Sequence, residues 1–194
     1  VGLSTSYVDS GDQLSYESQP FKNLTEFSLV VYVKANAVST NQMIFGAIDN
    51  GNDGWGLIID SNDFDSGNTD TFVFHVGRGD SGGRSSKAGP SGSINQERWY
   101  VLGASFLVTS GKPELQIYKN GRNVGVQTDT GSGTNTLGGD ASLGIGSRIG
   151  NSAGFAGVLN GNVSFVAVWD RVLSDDEMAF LARDPYAMIR PRGL

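Results

Sequence analysis

The sequence predicts an all-β fold: a two-sheet antiparallel jelly-roll β-sandwich with one short C-terminal helix and an extended tail. Three observations support this prediction. Short apolar segments alternate with polar positions at a period of two, as in strands that bury one face. Glycine accounts for 28 of 194 residues, which suits many tight turns between short strands. A convincing helical pattern occurs only near the C-terminus.

The clearest strand runs from Phe27 to Ala35, where Phe27, Leu29, Val31 and Val33 share one face. Similar segments, rich in β-branched and aromatic residues, bring the number of candidate strands to about eleven. They include residues 42–49, 55–60, 71–76, 99–106, 115–118, 124–128, 142–146 and 162–169. Because almost nothing helical separates these segments, we expect antiparallel sheets packed face to face.

Turn signals separate the candidate strands. Asn120-Gly121 is the strongest of them, because both central residues of a type I′ hairpin turn need a positive φ angle. Three segments rich in glycine and polar residues are predicted to be exposed loops: 60–70, 78–93 and 128–140. Loops of this kind often carry binding residues, and they also often do no more than connect strands.

A helix is predicted to begin after Ser174, because Ser174 and Glu177 have the spacing of a capping box. Asp175 and Asp176 would complement its positive end, and Asp184-Pro185 would end it. We therefore divide the chain into a sandwich, residues 1–183, and a C-terminal tail, residues 184–194. The tail is basic and apolar and is interpreted either as a docking segment or as a segment folded back on its own sandwich. The candidate docking residues are Arg183, Tyr186, Met188, Ile189, Arg190 and Arg192.

Composition excludes several classes of function. The net charge is −6, whereas a protein that binds nucleic acid needs a positive face, so we expect no nucleic-acid partner. No segment approaches the roughly 20 apolar residues of a membrane span, so no membrane association is expected. The absence of cysteine removes thiol chemistry and favours synthesis in a reducing compartment.

The residues that could support catalysis are few. His75 is the single histidine, which excludes a multi-histidine metal site and leaves one candidate base. It is expected to lie in a strand and to face solvent or a neighbouring side chain. No Gly-x-Ser-x-Gly motif is present, and Asp63 and Asp65 are expected to be solvated in a loop. The sequence therefore predicts a protein that is not an enzyme.

The sequence offers two candidate binding sites, each with a structural alternative. A cluster of acidic residues could hold calcium through carboxylates, or could simply form Asx turns: Asp49, Asp53, Asp60, Asp63 and Asp65. Trp55, beside Asp53 and Asn52, is the candidate platform for a sugar ring, with core packing as the alternative. Trp99 and Trp169 lie in candidate strands and are interpreted as structural.

Six motifs stand out along the chain: Phe27-Ser-Leu-Val-Val-Tyr-Val, Met43-Ile-Phe-Gly, Gly54-Trp-Gly-Leu-Ile-Ile, Glu97-Arg-Trp-Tyr-Val-Leu-Gly, Leu115-Gln-Ile-Tyr-Lys-Asn-Gly-Arg and Gly161-Asn-Val-Ser-Phe-Val-Ala-Val-Trp-Asp-Arg-Val-Leu-Ser174. Together, across about residues 12–181, they resemble those of the laminin-G-like members of the concanavalin A-like lectin/glucanase superfamily. The resemblance implies a jelly-roll sandwich. Where the family often has an aspartate that helps to hold calcium, this chain has Ser164.

The resemblance also bears on activity. The glucanase branch uses an E-x-D-x-x-E strand and the lyases a Q-I-H strand, and both motifs are absent; the chain has Phe74-His75-Val76. A polysaccharide lyase or glycoside hydrolase is therefore a distant alternative.

The tail, Arg183-Asp-Pro-Tyr-Ala-Met-Ile-Arg-Pro, is similar to endings on such domains in tailed-phage and marine-virus proteins. The first hypothesis is therefore a structural module on a virion surface, made in the host cytoplasm and docked to capsid or tail proteins. The alternative is an extracellular, lectin-like module that binds a glycan. Edge strands would permit a homo-oligomer in either case.

Overall fold

The computed structural model describes residues 14–16, 21, 23–50, 53–61, 69–77, 84–128, 142–147 and 157–187. These residues form eleven strands and one helix. The elements are β1 (Leu14–Tyr16), β2 (Glu26–Ala35), β3 (Gln42–Asn50), β4 (Asp53–Asp60), β5 (Thr71–Gly77), β6 (Arg84–Ala88), β7 (Trp99–Thr109), β8 (Lys112–Lys119), β9 (Arg122–Thr128), β10 (Leu143–Ile145), β11 (Gly161–Trp169) and α1 (Asp175–Arg183).

The strands form two antiparallel sheets, which confirms the predicted all-β sandwich. The six-stranded sheet has the order β1-β10-β3-β4-β5-β6, and the five-stranded sheet has the order β11-β2-β7-β8-β9. Strand β6 corrects the prediction of one continuous loop over residues 78–93. Its sequence, Arg-Ser-Ser-Lys-Ala, has no apolar alternation, and it is a strand because its backbone pairs with β5 from Val73↔Ala88 to Gly77↔Arg84.

The core lies between the sheets and is rich in aromatic side chains. Trp55 on β4 is fully buried at its centre. Its ring centroid lies 5.1 Å from that of Phe27 on β2 and 5.3 Å from that of Phe45 on β3. Phe74 and Phe106 extend this cluster on either side of Phe27. Alternate residues of both sheets therefore meet as the period-two pattern predicts.

Helix α1 covers part of the outer face of the five-stranded sheet. Met178 and Leu181 are buried there among Val30, Val101 and Tyr118. The predicted capping box is confirmed, since the Glu177 amide donates to Ser174 Oγ and the Ser174 amide donates to Glu177 Oε2. No helix in the described residues is long and apolar enough to cross a membrane.

The β8–β9 turn is fitted against this helix. Asn120 and Gly121 have φ angles of 50° and 78°, as the Asn-Gly signal predicts. A Cβ atom on Gly121 would lie 2.7 Å from the Cα of Ala179, so the helix packs directly on the turn. The sequence signal for the hairpin thus also explains how closely α1 approaches the sheet.

Candidate functional site

The position of Trp55 corrects its assignment as a sugar platform. Its side chain is 0% exposed, and it contacts the rings of Phe21, Phe27 and Phe45 between the two sheets. A sugar cannot stack on an indole enclosed on all sides by the core. The alternative of core packing is therefore the correct one, and Trp55 is removed from the candidate glycan site; Asn52 lies outside the described residues.

The structure also separates the aspartates proposed to share calcium. Asp53 begins β4 and Asp60 ends it, so about 23 Å of extended strand lies between their backbones. Asp49 lies near Asp53 at the β3–β4 end. One ion cannot bridge the two ends, so the five-residue calcium site is wrong as a single site. Asp63 and Asp65 lie outside the described residues, among which no group of three or more His, Cys, Asp or Glu could hold a metal ion.

His75 lies inside the folded chain. It is fully buried on β5, and its Nδ1 lies 2.9 Å from Oγ of Ser86, the residue opposite it on β6. This agrees with the expectation of a strand histidine that faces a neighbouring side chain. A buried imidazole that is hydrogen-bonded within the sheet cannot contact a polysaccharide in this conformation.

The beginning of the tail packs on its own sandwich. Tyr186 lies edge-on to Phe165 at a centroid distance of 6.0 Å and to Tyr32 at 6.4 Å. Its hydroxyl also hydrogen-bonds to Oγ of Ser164, which lies at a β-bulge of β11. Tyr186 therefore packs on the sandwich surface, in line with the alternative of a segment folded back on its own sandwich, and the division of the chain at residue 184 stays a prediction. Arg183 is exposed in the last turn of α1, whereas Met188, Ile189, Arg190 and Arg192 lie outside the described residues.

These contacts create an aromatic surface on the part of the five-stranded sheet that α1 leaves open. We call Tyr32, Trp99 and Tyr186 the aromatic ledge. Trp99 begins β7, and the ring centroids of Trp99 and Tyr32 are 4.7 Å apart with an interplanar angle of 40°. Trp99 is 38% exposed, so its indole is supported by Tyr32 and still reaches solvent.

A charged pair borders the aromatic ledge. Lys34 is the direct cross-strand partner of Trp99, and its Nζ lies 3.2 Å from Oε2 of Glu97. Glu97 has a φ angle of 59°, and its amide donates to the carbonyl of Ala35 over 2.7 Å. This backbone contact fixes the turn before β7 so that the carboxylate faces the ammonium group. A hydrogen-bond donor and an acceptor thus lie beside the exposed indole.

The arrangement has the components of a sugar-binding surface. An indole edge or face can cover the apolar side of a pyranose, while Lys34 and Glu97 can exchange their mutual hydrogen bond for bonds to hydroxyl groups. Binding sites of this kind combine aromatic surface with a small number of polar groups. Among the described residues, this is where an exposed tryptophan and charged side chains meet.

The interpretation of Trp99 as purely structural missed this surface. The usable signal was its position, since it follows four consecutive polar residues, 95–98, that precede β7. A tryptophan at the start of a strand lies at the end of the sheet, where its side chain can stay exposed because other segments do not always pack against that end. The contributions of Tyr32 and Tyr186 could not be read from the sequence, because they depend on how the tail returns to the sheet.

The fold is shared with several proteins of known structure. The carbohydrate-binding module CBM40 of the Ruminococcus gnavus IT-sialidase, solved with α2,3-sialyllactose, aligns with a TM-score of 0.67 and 14% identity, covering 93% of this chain and 96% of that one. A heptameric SAP-like pentraxin from Limulus polyphemus aligns with a TM-score of 0.58 and 14% identity, covering 88% and 75%. Domains LG4-5 of the mouse laminin α1 chain align with a TM-score of 0.60 and 17% identity, covering 87% and 41%.

At these identities the likeness shows the fold alone. No curated protein sequence matches the chain. The association with a virion and with capsid or tail proteins remains a prediction from sequence. The family, in contrast, is shown by the sequence pattern itself: the model Laminin_G_3 of the concanavalin A-like lectin/glucanases superfamily matches residues 5–179, and the chain therefore belongs to this family.

Proposed function

We propose that the protein is a non-catalytic carbohydrate-binding module and that the aromatic ledge is its glycan site. The observation that carries this proposal is the exposed Trp99, supported by Tyr32 and bordered by the Lys34–Glu97 pair. Most aromatic side chains of the sandwich are buried in its core, whereas this indole reaches solvent beside two charged groups, the combination that ligand sites use.

The comparisons support the same class of function. The R. gnavus module, described as bound to sialyllactose, is matched over 96% of its length, so the likeness extends over a whole binding module. Trisaccharides such as sialyllactose are therefore sensible first probes. The assembly role that the sequence favoured takes second place, since its proposed docking residue Tyr186 contacts the chain's own sheet.

The proposal that the module is non-catalytic rests on the histidine. The side chain of His75 is 0% exposed, and its Nδ1 is hydrogen-bonded to Oγ of Ser86. Asp60, which belongs to the acidic cluster, is likewise 0% exposed. Neither side chain can approach a glycosidic bond without a rearrangement of the sheet.

The first experiment screens the purified chain on a glycan array and then measures the affinity of the best ligand, with α2,3-sialyllactose included, by isothermal titration calorimetry. We expect saturable binding that Trp99→Ala weakens by at least tenfold, because the substitution removes the stacking surface. Val126→Ala is the matched control, since Val126 is 49% exposed on β9 at the far edge of the same sheet. It should bind as tightly as the wild type.

The second experiment tests the polar border. Lys34→Gln removes the cation and leaves Glu97 without its ion-pair partner, so we expect weaker binding, with the greatest loss for sugars that carry a carboxylate. A glycan array on which no sugar binds would refute the proposal. Binding that Trp99→Ala leaves unchanged would instead refute the location of the site.

A further inference from the structure

A second surface feature lies at the other end of β11. It is an open groove with a cavity of about 290 Å³ between the segment that follows β11 and helix α1. Its walls are Trp169, Leu173, Phe180 and Leu181, and its charged residues are Arg171, Asp176 and Glu177. Asn162, opposite Lys34, and Trp169 are seven residues apart on β11, so roughly 20 Å separates the groove from the aromatic ledge.

The groove is held in shape by contacts within the chain. The Leu173 amide donates to Oγ of the buried Ser28 over 2.9 Å, which anchors the segment that follows β11. Both terminal nitrogens of Arg171 donate to the Glu177 carboxylate, over 2.9 and 2.5 Å. The capping box joins that carboxylate to Ser174. A ligand would therefore meet a surface that is already formed, which lowers the entropic cost of binding.

The charge of the groove favours a cation. The groove is lined by two carboxylates, on Asp176 and Glu177, and by one guanidinium, on Arg171. Arg171 is already paired with Glu177, and this pairing lowers the pKa of Glu177 to about 2. The positive end of the helix dipole offsets only about half a charge. The negative charge that remains is next to an apolar floor.

Phe180 is the clearest sign that the apolar surface of the groove is left uncovered by the chain's own described residues. It is 58% exposed, whereas the other two large apolar side chains of the helix, Met178 and Leu181, are buried against the sheet. It lines the groove together with Trp169. A cationic side chain placed against either ring would gain cation–π attraction, and Asp176 at the same groove offers it a carboxylate.

We propose that this groove docks a segment of a protein partner in which an arginine stands next to an apolar side chain. The apolar side chain covers Phe180 and fills the cavity, and the guanidinium meets Asp176 at the rim. Arginine suits the position better than lysine, because its planar group can stack on Trp169 or Phe180 while it donates hydrogen bonds to a carboxylate. This site is separate from the proposed glycan site and does not depend on it.

The probe is the fluorescein-labelled peptide Ala-Leu-Arg-Leu-Arg-Ala, an apolar and basic sequence that does not occur in this chain. Its binding to the full chain is measured by fluorescence anisotropy at 50 and 300 mM salt. We expect saturable binding that Phe180→Ser weakens by at least fivefold and Asp176→Asn by at least threefold. Higher salt should weaken it further. A peptide with both arginines replaced by glutamine should bind at least tenfold more weakly.

The matched controls are Val126→Ser and Glu26→Gln, which make the same kinds of change at exposed positions on β9 and β2. They should leave the affinity unchanged. No saturable binding, equal binding by the glutamine peptide, or equal affinity in the Phe180 and Asp176 variants would each overturn the proposal. Size-exclusion chromatography with light scattering tests whether a second copy of the chain occupies the groove instead. If the chain self-associates, Phe180→Ser abolishes this self-association and the peptide does not bind, the groove is an interface between copies and the proposal is overturned.

Discussion

The outer faces of the two sheets differ in what they leave exposed. On the six-stranded sheet the outward side chains Met43, Ile48 and Ile58 form a separate buried cluster, and His75 is equally buried. On the five-stranded sheet helix α1 covers part of the outer face. Trp99 is exposed at the aromatic ledge, and Phe180 is exposed on α1 itself, beside the groove.

This difference shows where function can reside in the described part of the molecule. A histidine or an acidic residue attracts attention in a sequence because of its chemistry, but burial decides whether a ligand can reach it. His75 and Asp60 are buried on the six-stranded sheet, whereas the exposed Trp99 lies on the five-stranded sheet and the exposed Phe180 lies on the helix that packs against it. The substitutions below test that contrast, beginning with the largest expected effect.

Trp55→Ala should lower the free energy of unfolding more than any of the substitutions that follow. It removes a fully buried indole from between the sheets, and such truncations lower the free energy of unfolding by about 3–5 kcal/mol. Urea denaturation followed by circular dichroism would measure the loss. A change below about 1 kcal/mol would contradict the placement of Trp55 in the core and would reopen its assignment as a binding residue.

Gly56→Val tests the outer face of the six-stranded sheet. A Cβ atom on Gly56 would lie 2.8 Å from Cδ1 of Ile48 and 3.1 Å from Sδ of Met43. Both neighbours are ends of flexible side chains, so they can shift, at a cost of about 1–3 kcal/mol for overpacking. The same denaturation measurement applies. A variant as stable as the wild type would show that the side chains around Gly56 are packed loosely enough to accommodate a valine.

Ser174→Ala tests how much the capping box stabilises helix α1 on the five-stranded sheet. It removes the acceptor for the Glu177 amide and should lower the free energy of unfolding by about 1 kcal/mol. Ser174→Asp, which can cap in the same way, serves as the control and should restore most of the loss. If the alanine and aspartate variants are equally stable, the capping box does not contribute to the docking of the helix.

Trp99→Ala should cost less stability than Trp55→Ala, although both remove an indole. Trp99 is 38% exposed and stacks mainly on Tyr32, so we expect a loss of no more than about 1 kcal/mol. Its thermal unfolding midpoint should stay close to that of the wild type while glycan binding is lost. A loss comparable to that of Trp55→Ala would mean that Trp99 is a core residue and that the aromatic ledge is structural.

The smallest change in stability should come from protonation of Glu177 at low pH. The bond to Arg171 lowers the pKa of Glu177 from 4.5 to about 2, with the Ser174 amide contributing. The stabilisation from charged Glu177 is therefore complete above pH 4.5 and is lost as the pH falls from 4.5 to 2. Solvent screens this exposed pair, so the effect is small. The difference in stability between wild type and Glu177→Gln should shrink between pH 7 and pH 3; a constant difference would contradict the assignment.

Sequence was sufficient for the fold and for most local structure. The strand Phe27–Ala35, the Asn120-Gly121 turn and the capping box at Ser174 all form where predicted, because each depends on residues close together in the chain. Strand β6 was missed because it has no apolar alternation and is defined by its pairing with β5. Local patterns cannot reveal an element that only a partner strand creates.

The binding surfaces depended on contacts between distant parts of the chain. Sequence alone could place Trp55 and Trp99 in strands, and the four polar residues before Trp99 hinted at the end of a sheet, but neither pattern fixed how exposed each indole is. Only the tertiary structure placed Trp55 between the sheets and left Trp99 at an open end beside Tyr32 and the returning Tyr186. Periodicity determines which residues share a face, whereas exposure is decided by what later packs against that face.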